Sequence, residues 1–397
     1  MTHSQPSTKN RRPLALVLGA GAALACLLTV TTLTLGRPSI HRVALLPEPG
    51  TYILDGLTYS GNPSCAGSKC HSAADCVERD NGDCIGDEMT IAIESDPHAR
   101  SYNDLFNTES KAIASAMGIG AAHESDRCLQ CHAANVPAAQ RGERFDIEAG
   151  NSCESCHGPS EKYLKPHEEA GWTQAQRAKL GTAGLRTEWG VLDTTDKAFR
   201  AEMCVACHLQ IDKDMLDAGH PPLQFEMYAY NYYIYSGDYR PHWEEPFGEG
   251  VDAKLWAIGQ VVAHEAAQAQ LADWTAKGWD TTSAKAMVDL YAKGAEIVKT
   301  AFGTDSAAKL NGMTPTPAQC AAACAALARA GAGASNEVER KIFAFGVTAL
   351  GSAVYDAQDD DAPDDFWDAS DAATDASGDA YTDALQTMAD LAQKGAG

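Results

Sequence analysis

The apolar residues divide the chain into three parts with different patterns. Residues 14–36 form an uncharged apolar run that follows the basic residues Lys9, Arg11 and Arg12. Residues 64–247 contain only short apolar segments, interrupted by Gly, Pro, Asp and Ser. From about residue 251 alanine is frequent, and apolar residues recur at the spacing of one helix face. The pattern therefore predicts a mainly α protein with little regular sheet.

The N-terminal run is long enough to cross a bilayer, which takes about 20 residues. A cleaved signal peptide has an apolar core of only about 7–15 residues. We therefore expect an uncleaved signal anchor over residues 1–37, with its basic end in the cytoplasm. An extended tether over residues 38–63 should follow it. The alternative is a cleaved signal and a soluble periplasmic protein.

Helix signals are strong in the C-terminal part, and we expect a helical bundle over residues 248–397. Thr316, Pro317 and Gln319 form the sequence of a capped helix start, and Gly303 is placed to end the preceding helix. Ser335 is the expected cap of a further helix. Residues 356–379 are rich in aspartate and are predicted to form a solvated acidic loop before a last helix over residues 381–393. Three of the expected helices each show one apolar face. The first face carries Leu255, Ile258, Val262 and Ala266. The second carries Met287, Leu290, Tyr291, Gly294, Ile297, Val298 and Ala301, and the third, after Ser335, carries Val338, Ile342, Phe345 and Ala349.

The middle part contains the pentapeptide Cys-x-x-Cys-His three times within residues 128–208. This pentapeptide is the attachment site of a c-type haem: two thiols form thioethers with the porphyrin, and the adjacent histidine becomes the proximal iron ligand. The copies comprise Cys128, Cys131 and His132; Cys153, Cys156 and His157; and Cys204, Cys207 and His208.

A fourth, wider copy comprises Cys65, Cys70 and His71, with four residues between its cysteines. The longer loop can bulge outward and still present both sulfurs to a porphyrin edge, so we expect four haems c in all. A disulfide loop is the alternative here, because Cys76 and Cys84 follow closely. In an oxidising compartment Cys76 and Cys84 are a reasonable disulfide.

Each iron of an electron carrier usually has a second protein ligand, whereas a vacant position suits small-molecule chemistry. The chain has 12 histidines. We predict His98, His123, His167 and His220 as distal ligands, because prolines stiffen the backbone beside three of them. The alternative distal ligands are Met89, Met117, Met215 and Met227.

Three segments resemble the tetrahaem cytochrome c-554 family: CESCHGPSEKY at residues 153–163, DPHARSY at 96–102 and AGHPPLQFE at 218–226. The resemblance covers residues 64–247. It implies closely packed, mostly bis-histidine haems that pass single electrons, with His98, His167 and His220 as distal ligands. Relatives include a haem without a distal protein ligand. The widened first motif, the insert with Cys76 and Cys84 and the alanine-rich tail depart from the family pattern.

The formal net charge of -23 excludes a general nucleic-acid binder, which needs a basic face. It favours redox protein partners with a basic docking face. We expect a membrane-tethered periplasmic cytochrome whose domain over residues 64–247 relays electrons, with a haem-free helical domain after it. An electron carrier is favoured over an enzyme. The alternatives are a reductase of a small nitrogen compound at one open haem and a quinol-oxidising cytochrome.

Overall fold

The computed structural model describes residues 52–67, 70–73, 77–78, 84–168, 174–232, 250–358 and 360–397. The predicted signal anchor, most of the tether, the side chains of Cys76 and Cys84, and His242 lie outside the described residues. Among the described residues, no helix combines the length and the apolar character needed to cross a bilayer.

The prediction of a mainly α fold is confirmed. The only strands in the described part of the chain are β1 (Val77–Glu78) and β2 (Cys84–Ile85), which pair antiparallel with Val77 opposite Ile85. Of the described residues before position 250, eight stretches are α-helical: α1 (Glu88–Glu94), α2 (Thr108–Met117), α3 (Asp126–His132), α4 (Cys153–His157), α5 (Gln174–Gly184), α6 (Lys197–His208), α7 (Lys213–Asp217) and α8 (Met227–Tyr232).

Short 3-10 turns connect these helices, as expected for a region with many Gly, Pro and Asp residues. They are Asn62–Ser64, Pro97–Arg100, Asn103–Phe106, Ala122–Glu124, Ala138–Gln140, Ile147–Ala149 and Pro166–Glu168, and a π-helical turn covers Leu185–Trp189. These turns thus hold three of the predicted distal histidines, and the fourth, His220, lies in a loop, whereas three of the four haem motifs end helices.

Seven further helices form the C-terminal bundle: α9 (Val251–Ala276), α10 (Thr282–Phe302), α11 (Ala307–Asn311), α12 (Pro317–Gly331), α13 (Glu337–Asp356), α14 (Asp364–Asp375) and α15 (Gly378–Gly395). Gly303 ends α10 in the left-handed conformation, and Thr316 and Gln319 form a complete capping box at α12. Both predicted features are therefore confirmed. The cap of α13 is Asn336 rather than Ser335, because the Asn336 side chain accepts the amide hydrogen of Glu339.

Helix α9 is the central helix of this bundle. Residues 251–263 are buried without interruption, and α6, α8, α10, α11 and α13 pack around the helix. The sequence predicts one apolar face for α9, but this part of the helix is buried on all sides. Polar residues are buried as well, and Asp252 accepts a hydrogen bond of 2.8 Å from the Ser352 hydroxyl.

The predicted acidic loop over residues 356–379 is wrong, because Asp364–Asp375 is helix α14. Asp364 and Asp365 occupy its first turn, where the helix dipole favours negative charge. Phe366 is fully buried beside Gly351 of α13, where an added Cβ would lie 2.3 Å from the phenyl ring. The aspartates occupy the solvent side of an amphipathic helix, which composition alone concealed.

The main hydrophobic core crosses the boundary predicted at residue 248. The same core contains Leu255 of α9, Val205 and Leu209 at the pentapeptide of Cys204, and Phe225 and Tyr228 at α8. The C-terminal helices therefore support the backbone of the last haem motif directly.

Candidate haem sites

The three regular pentapeptides form the last turns of α3, α4 and α6. Residues three and four positions apart share one face of a helix. The two thiols and the histidine of each motif therefore point toward the same side. The Asp196 carboxylate caps the start of α6 by accepting the amides of Ala198 and Phe199. The wider first motif lies in a turn, where the Cys70 amide donates to the Gly67 carbonyl at 2.7 Å.

The structure places three of the four motif histidines opposite a second histidine. The ring centroids of His71 and His167 are 6.3 Å apart, and those of His132 and His220 are 6.4 Å apart. The centroids of His98 and His208 are 5.7 Å apart, and their Nε2 atoms lie 3.5 Å from each other. Each pair thus combines one motif histidine with one of the distal ligands predicted from the sequence.

This spacing suits one metal ion between two imidazoles. Metal–imidazole bonds of about 2 Å on both sides, with a ring radius of roughly 1 Å added to each, separate the centroids by about 6 Å. The three observed separations lie close to this value. Since directly packed aromatic rings also lie about 4.5–7 Å apart, the assignment rests on which ring nitrogens face the gap.

The second nitrogen of five of these rings is already engaged. The Nδ1 atom of His71 bonds Glu88 Oε2 at 2.9 Å, and that of His98 lies 2.9 Å from Asp96 Oδ1. The remaining three bond backbone carbonyls: His132 to Ser101 at 3.0 Å, His167 to Tyr163 at 2.9 Å and His220 to Pro221 at 2.8 Å. Bonds of this kind fix the tautomer of metal-binding histidines and direct Nε2 at the metal.

Burial favours the neutral form of His208 and His220, which is the form that binds metals. Burial, with the neighbouring His98, lowers the pKa of His208 to about 3. Burial also lowers the pKa of His220. The ring of Tyr230 packs edge-on against His208, with the ring centroids 4.8 Å apart.

One cavity of about 570 Å³ joins the three regular motifs. It is lined by their cysteines, by His98, His132, His157, His208 and His220, and by Met215 and Met227 among the methionines considered as ligands. Two of its lining residues, Gln210 and Asn231, are 1% and 3% exposed, and both atoms of each side-chain amide are unpartnered. Buried polar groups normally have partners. These amides fit a cofactor with polar edges, such as the propionates of haem.

The motifs also contact one another. The Cys65 thiol interacts with the Cys153 thiol, and a hydrogen bond to Cys131 together with burial raises the pKa of Cys207. Asn151 donates to the Cys131 carbonyl at 2.6 Å. The attachment points at Cys65 and Cys153 are therefore adjacent, and so are those at Cys131 and Cys207.

His123 is the one predicted distal ligand that the structure does not bring to a motif histidine. Its ring stacks on Phe106 at 4.4 Å, and its Nε2 atom lies 3.8 Å from Glu124. Phe106 is one of two large apolar residues that are exposed in the described part of the chain. His123 therefore covers part of an exposed ring near the surface.

Glu154, the first spacer residue of CESCH, has a structural role that its sequence context does not indicate. Its side chain is 1% exposed and accepts the backbone amides of Ser60 at 2.9 Å, Gly61 at 2.6 Å and Ser160 at 2.7 Å. It therefore connects the segment before Cys65 to the motif of Cys153 and Cys156. Spacer positions of the pentapeptide accept many residue types, so the sequence contains no signal for this role.

Comparison with known families agrees with this geometry. Residues 66–158 match the family described as cytochrome c554 and c-prime. The match includes two complete pentapeptides, Cys70, His71 and His98, and it confirms the resemblance seen in the motifs. The haem region is thus that of a multihaem c-type cytochrome of electron transfer, with covalently bound haem c. No curated protein and no solved structure matches the chain.

Proposed function

We propose that this chain, whose haem region is of the cytochrome c554 family, is a four-haem electron carrier tethered to the periplasmic face of the bacterial cytoplasmic membrane. The observation that carries the proposal is the pairing of imidazoles. Three motif histidines each face a second histidine across a gap of one metal ion, and five of the six rings have Nδ1 bonded elsewhere.

The proposed ligand pairs are His71 with His167, His132 with His220, and His208 with His98. The remaining haem is attached at Cys153 and Cys156, with His157 as its proximal ligand. Bound haem supplies the iron that accepts and releases one electron at a time. The chain holds five of the six rings in place through their Nδ1 contacts, so the ligand set stays the same in both oxidation states.

The adjacency of the motifs supports a relay. Cys65 lies against Cys153, and Cys131 against Cys207. Since the cysteines mark porphyrin edges, haems attached there are close enough in pairs for direct electron transfer. The apolar residues 14–36 would anchor the chain, and the net charge of -23 favours a partner with a basic docking face.

The test is a haem count and a spin count on the full chain. A pyridine haemochrome assay with intact mass should give four haems per chain, and the EPR spectrum of the oxidised protein should contain at least three low-spin irons. Three or fewer haems per chain, or low-spin signals from fewer than three irons, would overturn the proposal. Turnover of nitrite, hydroxylamine or nitric oxide together with a high-spin iron would instead favour the reductase alternative.

The tether has its own test. The full chain should remain with the membrane fraction after an alkaline carbonate wash, and a variant that begins after residue 37, exported by a cleavable signal, should be soluble. Recovery of the full chain in the soluble periplasmic fraction would support signal cleavage. Rapid haem reduction by a quinol analogue in membranes would favour the quinol-oxidising alternative.

A further inference from the structure

The partners of the imidazole Nδ1 atoms fall into two chemical classes. The Nδ1 atom of His71 bonds the Glu88 carboxylate, and that of His98 lies against the Asp96 carboxylate, both at 2.9 Å. The rings of His132, His167 and His220 bond neutral backbone carbonyls at 2.8–3.0 Å. Two of the three histidine pairs therefore contain one ring backed by a negative charge, and the pair of His132 and His220 contains none.

Both carboxylates are fixed by the backbone around them. Glu88 is the first residue of α1, and its two oxygens accept the Gly86 amide at 3.1 and 3.0 Å. Asp96 caps the turn Pro97–Arg100, and its Oδ1 atom accepts the His98 amide at 2.9 Å. The charges are thus held behind the rings by the same short segments that position those rings.

A carboxylate behind a metal-binding imidazole raises the basicity of the ligand and tunes the metal. Ionised at neutral pH, it places negative charge near an iron that is more positive when oxidised than when reduced. It should therefore stabilise the ferric form, and a neutral carbonyl should do so less. Hydrogen bonding around the ligands is one of the ways in which a protein sets a haem potential.

We propose that Glu88 and Asp96 are positioning residues that lower the reduction potentials of their own haems, the one between His71 and His167 and the one between His208 and His98. The haem between His132 and His220 lacks this contribution, so the two carboxylates bias an electron toward it. The inference rests on the ligand pairs of the proposed function and goes beyond them by assigning two residues that set potentials.

The experiment is a spectroelectrochemical titration of the haem-loaded full chain, followed by optical absorption and by the EPR signal of each low-spin iron. The variants are Glu88→Gln and Asp96→Asn, which keep the size and an acceptor oxygen but remove the charge. Glu94→Gln is the matched control, because Glu94 is an exposed carboxylate on the same helix α1. Glu88→Asp retains the charge and tests for rescue.

We expect Glu88→Gln and Asp96→Asn each to shift one, different, titration step to more positive potential, with all low-spin signals retained. Glu94→Gln should leave every step in place, and Glu88→Asp should return the potential toward that of the unmodified chain. The two carboxylates act on different haems, so each variant tests the idea independently if the other does not fold.

Unmoved potentials in both charge-removing variants, with the haem count intact, would overturn the inference and leave the proposed function standing. Equal shifts in Glu88→Gln and Glu94→Gln would also overturn it, because the effect would then be one of overall charge. A chain that lacks haem or low-spin iron before any substitution would instead refute the proposed function itself.

Discussion

The hydroxyl of Tyr291 satisfies both backbone groups of Phe225. It accepts a hydrogen bond from the Phe225 amide at 3.0 Å and donates one to the Phe225 carbonyl at 2.7 Å. Tyr291 is fully buried on α10, and Phe225 lies between His220 and Tyr230, whose ring contacts His208. One side chain of the C-terminal bundle thus fixes the segment between the predicted ligand His220 and Tyr230, whose ring packs against the predicted ligand His208.

Substitution of Tyr291 by Phe should lower the free energy of unfolding by about 2 kcal/mol, because it leaves a buried amide and a buried carbonyl without partners. Denaturant unfolding of the haem-loaded protein measures this change. Tyr355→Phe is the matched control: it removes one bond of 2.8 Å, to the Leu391 carbonyl, from a partly buried position. A Tyr291→Phe variant no less stable than Tyr355→Phe would contradict the expected role.

Removal of His167 should convert one low-spin iron to a high-spin iron, because the ring that faces His71 at 6.3 Å would be lost. We expect His167→Ala to show one fewer low-spin signal by EPR and a haem count that is unchanged. His123→Ala serves as the control, since His123 stacks on Phe106 instead. Loss of a low-spin signal in His123→Ala would restore His123 as a distal ligand and contradict the placement described here.

Substitution of Glu154 by Gln should lower the free energy of unfolding by about 2 kcal/mol, the cost typical of hydrogen bonds to a charged group. An amide group has one acceptor oxygen in place of two, and its NH₂ group would face a backbone donor. Thermal or denaturant unfolding measures the loss. The exposed Glu161, which also accepts a backbone amide, that of Thr58, supplies the control variant Glu161→Gln. Equal stability of the two variants would contradict a special role for Glu154.

Glu226 gives the chain a pH-dependent stability. Burial raises the pKa of its carboxyl from 4.5 to about 7, although the side chain accepts the Ala229 amide at 2.6 Å. Between these two pH values the folded chain keeps a proton that the unfolded chain has released, so the free energy of unfolding should fall as the pH rises through this window.

The Glu226→Gln variant should lack this decline, because glutamine stays neutral. The free energy of unfolding of the variant, minus that of the unmodified chain, should rise by about 3 kcal/mol between pH 4.5 and pH 8, as the pKa difference implies. Denaturant unfolding of both proteins at several pH values measures the difference, and common effects of other groups cancel. Parallel stability curves for the two proteins would show that the carboxyl of Glu226 ionises normally.

Much of the architecture could be predicted because its signals are local. The capping box at Thr316 and Gln319 and the left-handed Gly303 depend on a few neighbouring residues, and the structure contains both. Patterns that depend on distant packing were misread. Residues 364–375 looked like a solvated loop because their aspartates dominate the composition, yet Phe366 packs beneath Gly351 and makes the segment a helix.

The candidate sites show the same division. The motif cysteines and histidines were named from the sequence because attachment chemistry requires a fixed local spacing. Glu154 was missed because two of its three partners are remote in the chain, and one of them, Gly61, lies 93 positions away. Gln210 and Asn231 were missed because an unpartnered buried amide is visible only once the cavity around it exists.

The sequence by itself determined the chemistry of this protein: thiols and imidazoles at the spacing of covalent haem attachment, which is a property of a few adjacent residues. The tertiary structure alone decided which imidazoles face each other. His98 meets His208 across 110 positions of the chain, whereas His123 lies against Phe106. A pair of ligands across one iron needs two separate segments to approach within a few ångströms. Only the packing of the loops on α6, held in turn by the C-terminal bundle, brings them there.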